Sequence, residues 1–155
     1  MIRTRTIVTL MALSGTALAH PAGQTVRVPG GSYSQVSPQR LYAQLNTKDF
    51  ILINVHVPYE DEFQRTDLSV SFNQIESAPA LPREKNAGLV IYCRSSRMSA
   101  LAARALVRGG YTNVRELRGG MNAWTAAGCG LKFSSGASLL QPTAVPTVSS
   151  PKGQL

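Results

Sequence analysis

Cysteine, serine and arginine come together once in this chain, in Tyr92-Cys93-Arg94-Ser95-Ser96-Arg97-Met98-Ser99, and the grouping suits nucleophilic chemistry on a small anion. The run before it, Leu89-Val90-Ile91-Tyr92, is apolar and β-rich, as a buried strand requires. The run after it, from Ser99 to Arg108, is alanine-rich, carries Leu101, Ala102, Ala105 and Leu106 on one face, and stops at Gly109-Gly110. Cys93 is therefore expected at the carboxyl end of a strand, facing the amino end of a helix, where open α/β sheets place ligands. Free backbone N–H groups and the helix dipole favour an anion there, a thiolate included, and Arg94 and Arg97 add positive charge.

The elements that must hold this loop can be read in order. Ser37 and Pro38 suit an N-cap and first helical position, with Leu41, Tyr42 and Leu45 following on a short helix. Phe50 to Val57 reads as a strand buried on both faces and ended by Pro58. Tyr59 to Phe63 is expected to form a helical turn and Val70-Ser71-Phe72 a short strand, with Pro79, Pro82 and Asn86-Ala87-Gly88 marking loops. Tyr111 to Leu117 supplies a last strand, Arg118-Gly119-Gly120 a turn, and Met121 opens a helix that ends near Gly128. Helical and strand segments alternate, so the expectation is an α/β fold with a parallel sheet covered by helices.

The chain has 155 residues and a formal charge of +8, enough for one domain with a core. The excess charge is local: residues 83–118 hold Arg83, Lys85, Arg94, Arg97, Arg104, Arg108, Arg115 and Arg118 against Glu84 and Glu116. With no lysine-rich tail and no nucleic-acid motif, this favours a site that attracts small anions over a nucleic-acid surface. Residues 1–19 have the pattern of a signal peptide: Arg3 and Arg5, an uncharged run from Ile7, and the small-x-small site Ala17-Leu18-Ala19. That run is too short to span a bilayer, so the expected location is periplasmic or secreted, with no membrane attachment after cleavage. Residues 20–34 read as a flexible leader, 35–130 as the folded domain, and 131–155 as a disordered tail rich in serine, proline, glycine and threonine. His20 and His56 are the only histidines and no metal-ligand spacing exists, so neither a metal nor a cofactor is expected. Of the two cysteines, Cys129 stands in Gly128-Cys129-Gly130 and is read as mobile, a bystander, a resolving thiol for Cys93 or an intermolecular bridge.

The loop at Cys93 resembles the active-site loop of rhodanese-like sulfurtransferases. Two more stretches share the likeness: Leu52-Ile53-Asn54-Val55-His56 is similar to the family's early strand, and Tyr111-Thr112-Asn113-Val114 with Leu117-Arg118-Gly119-Gly120-Met121 and Ala123-Trp124 to its closing signature. The resemblance covers roughly residues 35–128 and implies one rhodanese-like domain with a five-stranded parallel sheet and helices on both faces. It implies that Cys93 takes a sulfane sulfur from a small anionic donor, such as thiosulfate, and passes it as a persulfide to a thiophilic acceptor, cyanide, a thiol or a protein. Arg94, Ser95, Ser96, Arg97, Met98 and Ser99 would then line the substrate, the arginines balancing its charge and the hydroxyls donating hydrogen bonds.

The chain departs from the family's loop, which reads Cys-Arg-Ser-Gly-x-Arg-Ser: Ser96 stands in the glycine place and Met98 in that of the second arginine. If position 96 needs a positive φ, serine stores strain there, and Ser96→Gly is expected to raise turnover. Asn54 and His56 replace an acid and an arginine, and His56 reads as a packing residue before it reads as a base. A cysteine phosphatase or arsenate reductase would need arginine six positions after the cysteine, where this chain has Ser99. A sulfur-relay or redox-sensing module without turnover is the other alternative.

Overall fold

The computed structural model describes residues 23–132. The expected signal peptide, His20 and residues 133–155 of the expected tail lie outside the described residues.

The strands are β1 (Thr25–Val28), β2 (Gly31–Val36), β3 (Ile51–Asn54), β4 (Glu62–Phe63), β5 (Leu68–Ser69), β6 (Leu89–Tyr92), β7 (Val114–Leu117) and β8 (Leu131–Lys132). The helices are α1 (Pro38–Gln44), α2 (Arg97–Arg108) and α3 (Gly120–Ala126). The main sheet has the order β1-β2-β7-β6-β3-β5. Strands β2, β7, β6, β3 and β5 pair in parallel, giving the five-stranded parallel sheet expected, and β1 adds an antiparallel edge. Helices cover both faces, and side chains alternate between the two cores along each strand. On β6, Leu89 and Ile91 join Ala102, Ala103 and Leu106 of α2, while Val90 and Tyr92 join Leu41 of α1 and Met121 and Trp124 of α3. That is why Leu89 to Tyr92 reads as one unbroken apolar run: all four are buried, each against one of two cores.

Four expectations about the fold are corrected. The flexible leader is, from Thr25, a β-hairpin in register Val28↔Gly31, with Pro29-Gly30 as its two-residue turn and Gly30 at φ 92°. Val26 and Val28 pack on the α2-side core, so alternation of apolar residues outweighs the local glycine and serine content, and the folded unit begins near residue 25. Residues 59–63 form no helical turn. Glu62 and Phe63 instead pair antiparallel with Lys132 and Leu131, which takes the first two residues of the expected tail into the fold. The short strand expected at Val70–Phe72 lies at Leu68–Ser69, beside Ile53 and Asn54.

Phe63 is fully buried and stacks on Tyr92 at 3.9 Å and on Trp124 at 4.2 Å between ring centroids. The Tyr92 hydroxyl accepts the Phe63 N–H at 3.0 Å and lies 2.7 Å from Thr66 Oγ1. Burial pushes the phenol far above its ordinary range, so it stays neutral and ties β4 to the central strand. Tyr92→Phe keeps the stack but strands the Phe63 N–H, and is expected to cost about 1–2 kcal/mol in urea unfolding. An unchanged midpoint would show that water replaces the hydroxyl.

Candidate active site

The loop after β6 places Cys93 at the carboxyl end of a central strand, as expected. The alternation that sends Leu89 and Ile91 toward α2 carries the thiol there too, and Cys93 is 1% exposed. Its Sγ accepts the Ser99 N–H at 3.3 Å, from the first turn of α2, and lies 3.4 Å from Ser99 Oγ. The N–H contact suits a sulfur that carries negative charge, and the hydroxyl contact suits it when Ser99 Oγ is the donor.

Ser96, just before α2, has φ 72° and ψ −14°, the left-handed conformation that favours glycine. Its hydroxyl does not cap α2. It donates to the Leu117 carbonyl at 3.1 Å and accepts the Gly119 N–H at 2.6 Å, fastening the cysteine loop to the turn after β7. The same turn supports the loop from beneath: Met121 N–H donates to the Cys93 carbonyl at 2.9 Å and Asn122 N–H to that of Arg94 at 3.0 Å. Two N-terminal donors of α3 are thus spent on the loop backbone.

The other loop residues divide by exposure. Ser95 and Arg97 are exposed, whereas Met98 is half-buried and packs on the α2-side core. Arg94 is exposed but ion-paired, its Nη1 2.8 Å from Glu60 Oε1. The other oxygen of Glu60 lies 3.5 Å from Nε2 of His56, whose side chain is 8% exposed and whose two ring nitrogens have no hydrogen-bond partner. Asn54 accepts the His56 N–H at 3.0 Å and donates to the Asp61 carbonyl at 2.9 Å, fixing the segment that presents Glu60. Sequence reasoning missed Glu60, since nothing local ties it to a residue 34 positions away.

One further group, behind the cysteine, was also missed. Glu116 of β7 is fully buried and accepts from Ser99 Oγ at 2.8 Å and from Gln35 Nε2 at 3.0 Å. Burial raises its carboxyl above the ordinary range, and hydrogen bonds from Ser99 and Gln35 only partly offset this. The signal was present: an acid at an alternate position of Val114-Arg115-Glu116-Leu117 must face a core. Cys129 is half-buried against the opposite core, its N–H donating to the Trp124 carbonyl at 3.1 Å, and burial pushes its thiol up. Both cysteines are free.

A thiol held between a central parallel strand and a helix amino end, under helices on both faces, defines an α/β domain built around one cysteine. The chain belongs to the rhodanese-like domain family, whose model matches residues 37–127. A sulfurtransferase of Allochromatium vinosum is 31% identical over 93 residues, 54% of this chain and 78% of that protein. Among solved structures, a rhodanese-like domain from Anabaena superposes with TM-score 0.58 at 18% identity, over 78% of this chain and 98% of that one. A Rhodopseudomonas palustris protein of unknown function, described as a possible tyrosine phosphatase, gives 0.55 at 21% identity over 64% and 85% of the two chains. At these identities the structural likenesses show the fold alone. The family and the Allochromatium relative support a sulfurtransferase-type or related function.

Proposed function

We propose that this chain is a sulfurtransferase that carries sulfane sulfur from thiosulfate or a related small anion on Cys93. The observation that carries the reading is the placement of Sγ against the Ser99 N–H at the start of α2, within a loop of the family's length. The Cys93 thiolate attacks the outer sulfur of thiosulfate and forms a new S–S bond, while the donor's S–S bond breaks with its electron pair leaving on sulfite. Cyanide or a thiol then attacks the outer sulfur of the persulfide, and the Cys93–sulfur bond breaks to return the thiolate. Backbone N–H groups around the loop hold the anions at both stages. Arg97 is free to meet the donor, and Arg94 joins it when Glu60 lets go. Export to the periplasm or beyond the cell accompanies this reading, supported by Arg3, Arg5 and the Ala17-Leu18-Ala19 site.

Incubating the protein with thiosulfate is expected to give an intact-mass species one sulfur heavier, discharged by cyanide and absent in Cys93→Ser. If neither thiosulfate nor other sulfane donors add mass, the transferase reading fails. One observation favours a second reading, a relay module without turnover: Arg94 is already neutralised by Glu60. Sulfur capture without repeated cyanide turnover would select it. A phosphatase is disfavoured, because Ser99 stands six positions after the cysteine and binds Sγ itself.

A further inference from the structure

The buried acid behind the cysteine has no evident structural reason to be an acid. Glu116 is 0% exposed, and the hydrogen bonds that it accepts come from neutral groups, Ser99 and Gln35. A buried carboxylate held only by neutral donors is costly, and an amide would satisfy the same partners. What distinguishes it is position: Glu116 Oε1, Ser99 Oγ and Cys93 Sγ form one chain with steps of 2.8 and 3.4 Å, and Ser99 is also 0% exposed. With Cys93 1% exposed, Ser99 Oγ stands within reach of its thiol proton.

We propose that Glu116 is a positioning residue that stores the Cys93 proton, acting through Ser99. This rests on the reading of Cys93 as the nucleophile and adds a group to its machinery. A serine hydroxyl has one proton to give. With Glu116 ionised, Ser99 donates to Oε1 and accepts from the Cys93 S–H. Ionisation of the thiol moves two protons: the Cys93 S–H bond breaks as an O–H bond forms at Ser99, and Ser99's original O–H bond breaks as one forms at Glu116. No proton enters or leaves the site and no electron changes hands. Ser99 now donates toward Sγ by both its N–H and its O–H, and the carboxyl is neutral, the form that burial favours. Among the described residues, Tyr33 of β2 feels the charges of both Glu116 and Arg104 of α2, and Arg97 stands at the start of α2, exposed. Burial and then the Glu116 charge push the Tyr33 phenol up, and Arg104 draws it back. Gln35 and Ser96 are neutral.

Two groups sharing a proton titrate as a pair, in two macroscopic steps. The test follows the ultraviolet absorbance of the thiolate across pH, with Cys93→Ser subtracted to remove Cys129 and the tyrosines. Two steps are expected in the wild type and one in Glu116→Gln, whose amide keeps its oxygen toward Gln35 and turns its N–H toward Ser99. In parallel, the infrared band of a protonated carboxyl is expected to persist in part through the first thiolate step, where Glu116 and Cys93 share the proton, and to vanish in the second. A purely structural role for Glu116 moves neither signal. A single wild-type thiolate step with the carboxyl band already lost, or the same two steps in Glu116→Gln, overturns the proposal. If Glu116→Gln does not fold, the wild-type infrared titration decides alone: a band lost ahead of the first thiolate step overturns it equally. Neither signal depends on sulfur transfer, so the role of Glu116 is decided even in a protein inert to thiosulfate.

Discussion

Gly120→Ala is expected to cost roughly 3–5 kcal/mol and to abolish persulfide formation in whatever fraction remains folded. A Cβ at this position would stand 2.2 Å from the Cys93 carbonyl oxygen and 2.7 Å from the Arg94 carbonyl carbon. Both are backbone atoms, so no side chain can swing aside. The turn can yield only by lifting α3 from the loop, which breaks the Met121 and Asn122 N–H bonds to the same two carbonyls. Each such bond is worth about 1 kcal/mol, and the left-handed φ of 59° at Gly120 costs an L-residue about 1–2 kcal/mol more. Set against a typical domain stability of roughly 5–15 kcal/mol, this removes a large share. Urea unfolding gives the first number, and intact mass after thiosulfate gives the second. An unshifted midpoint would mean that α3 does not dock as described.

The second large effect falls on Ser96 and reverses the expectation drawn from the family pattern. Taken locally, Ser96→Gly should help, because glycine relieves a left-handed conformation that costs serine about 1–2 kcal/mol. The structure adds a second consideration: the hydroxyl holds the Leu117 carbonyl and the Gly119 N–H, joining the loop after β6 to the turn after β7. Losing both bonds costs about 1–3 kcal/mol at this half-buried site, as much as the relief or more. Ser96→Ala keeps the strain and loses the bonds, and is expected to cost the whole of that, about 1–3 kcal/mol. Ser96→Gly should fall between Ser96→Ala and wild type in stability, with turnover no higher than wild type because the loop loses its tie to Gly119. Faster turnover in Ser96→Gly would show that the hydroxyl bonds are dispensable and strain alone governs the loop.

Ser96, Glu116 and the hairpin mark where a local reading stops. The positive φ at Ser96 was anticipated only through the glycine that the family's loop carries in that place. What the hydroxyl does was not, since its partners lie at least 21 residues away across a strand pair. The hairpin at Thr25 to Val36 carried a readable signal, alternating residues about Pro29-Gly30, but a hairpin is marginal until a sheet accepts it. Here β7 does so, pairing Ser34, Gln35 and Val36 with Arg115, Glu116 and Leu117.

By itself the sequence determined the class of fold, the order of the main-sheet strands and the three helices from Ser37 to Ala126, and the cysteine at their junction, but not β4 or β8. Each of these follows from periodicity, capping residues and glycine stops acting within a few positions. Tertiary structure alone decided what surrounds the thiol. It brought Glu116 behind Ser99 across 17 residues, set Glu60 against Arg94 across 34, and pressed Gly120 onto the Cys93 backbone. Which side chains meet behind a strand end depends on which strands are neighbours and which face each residue takes. Those are properties of the assembled sheet.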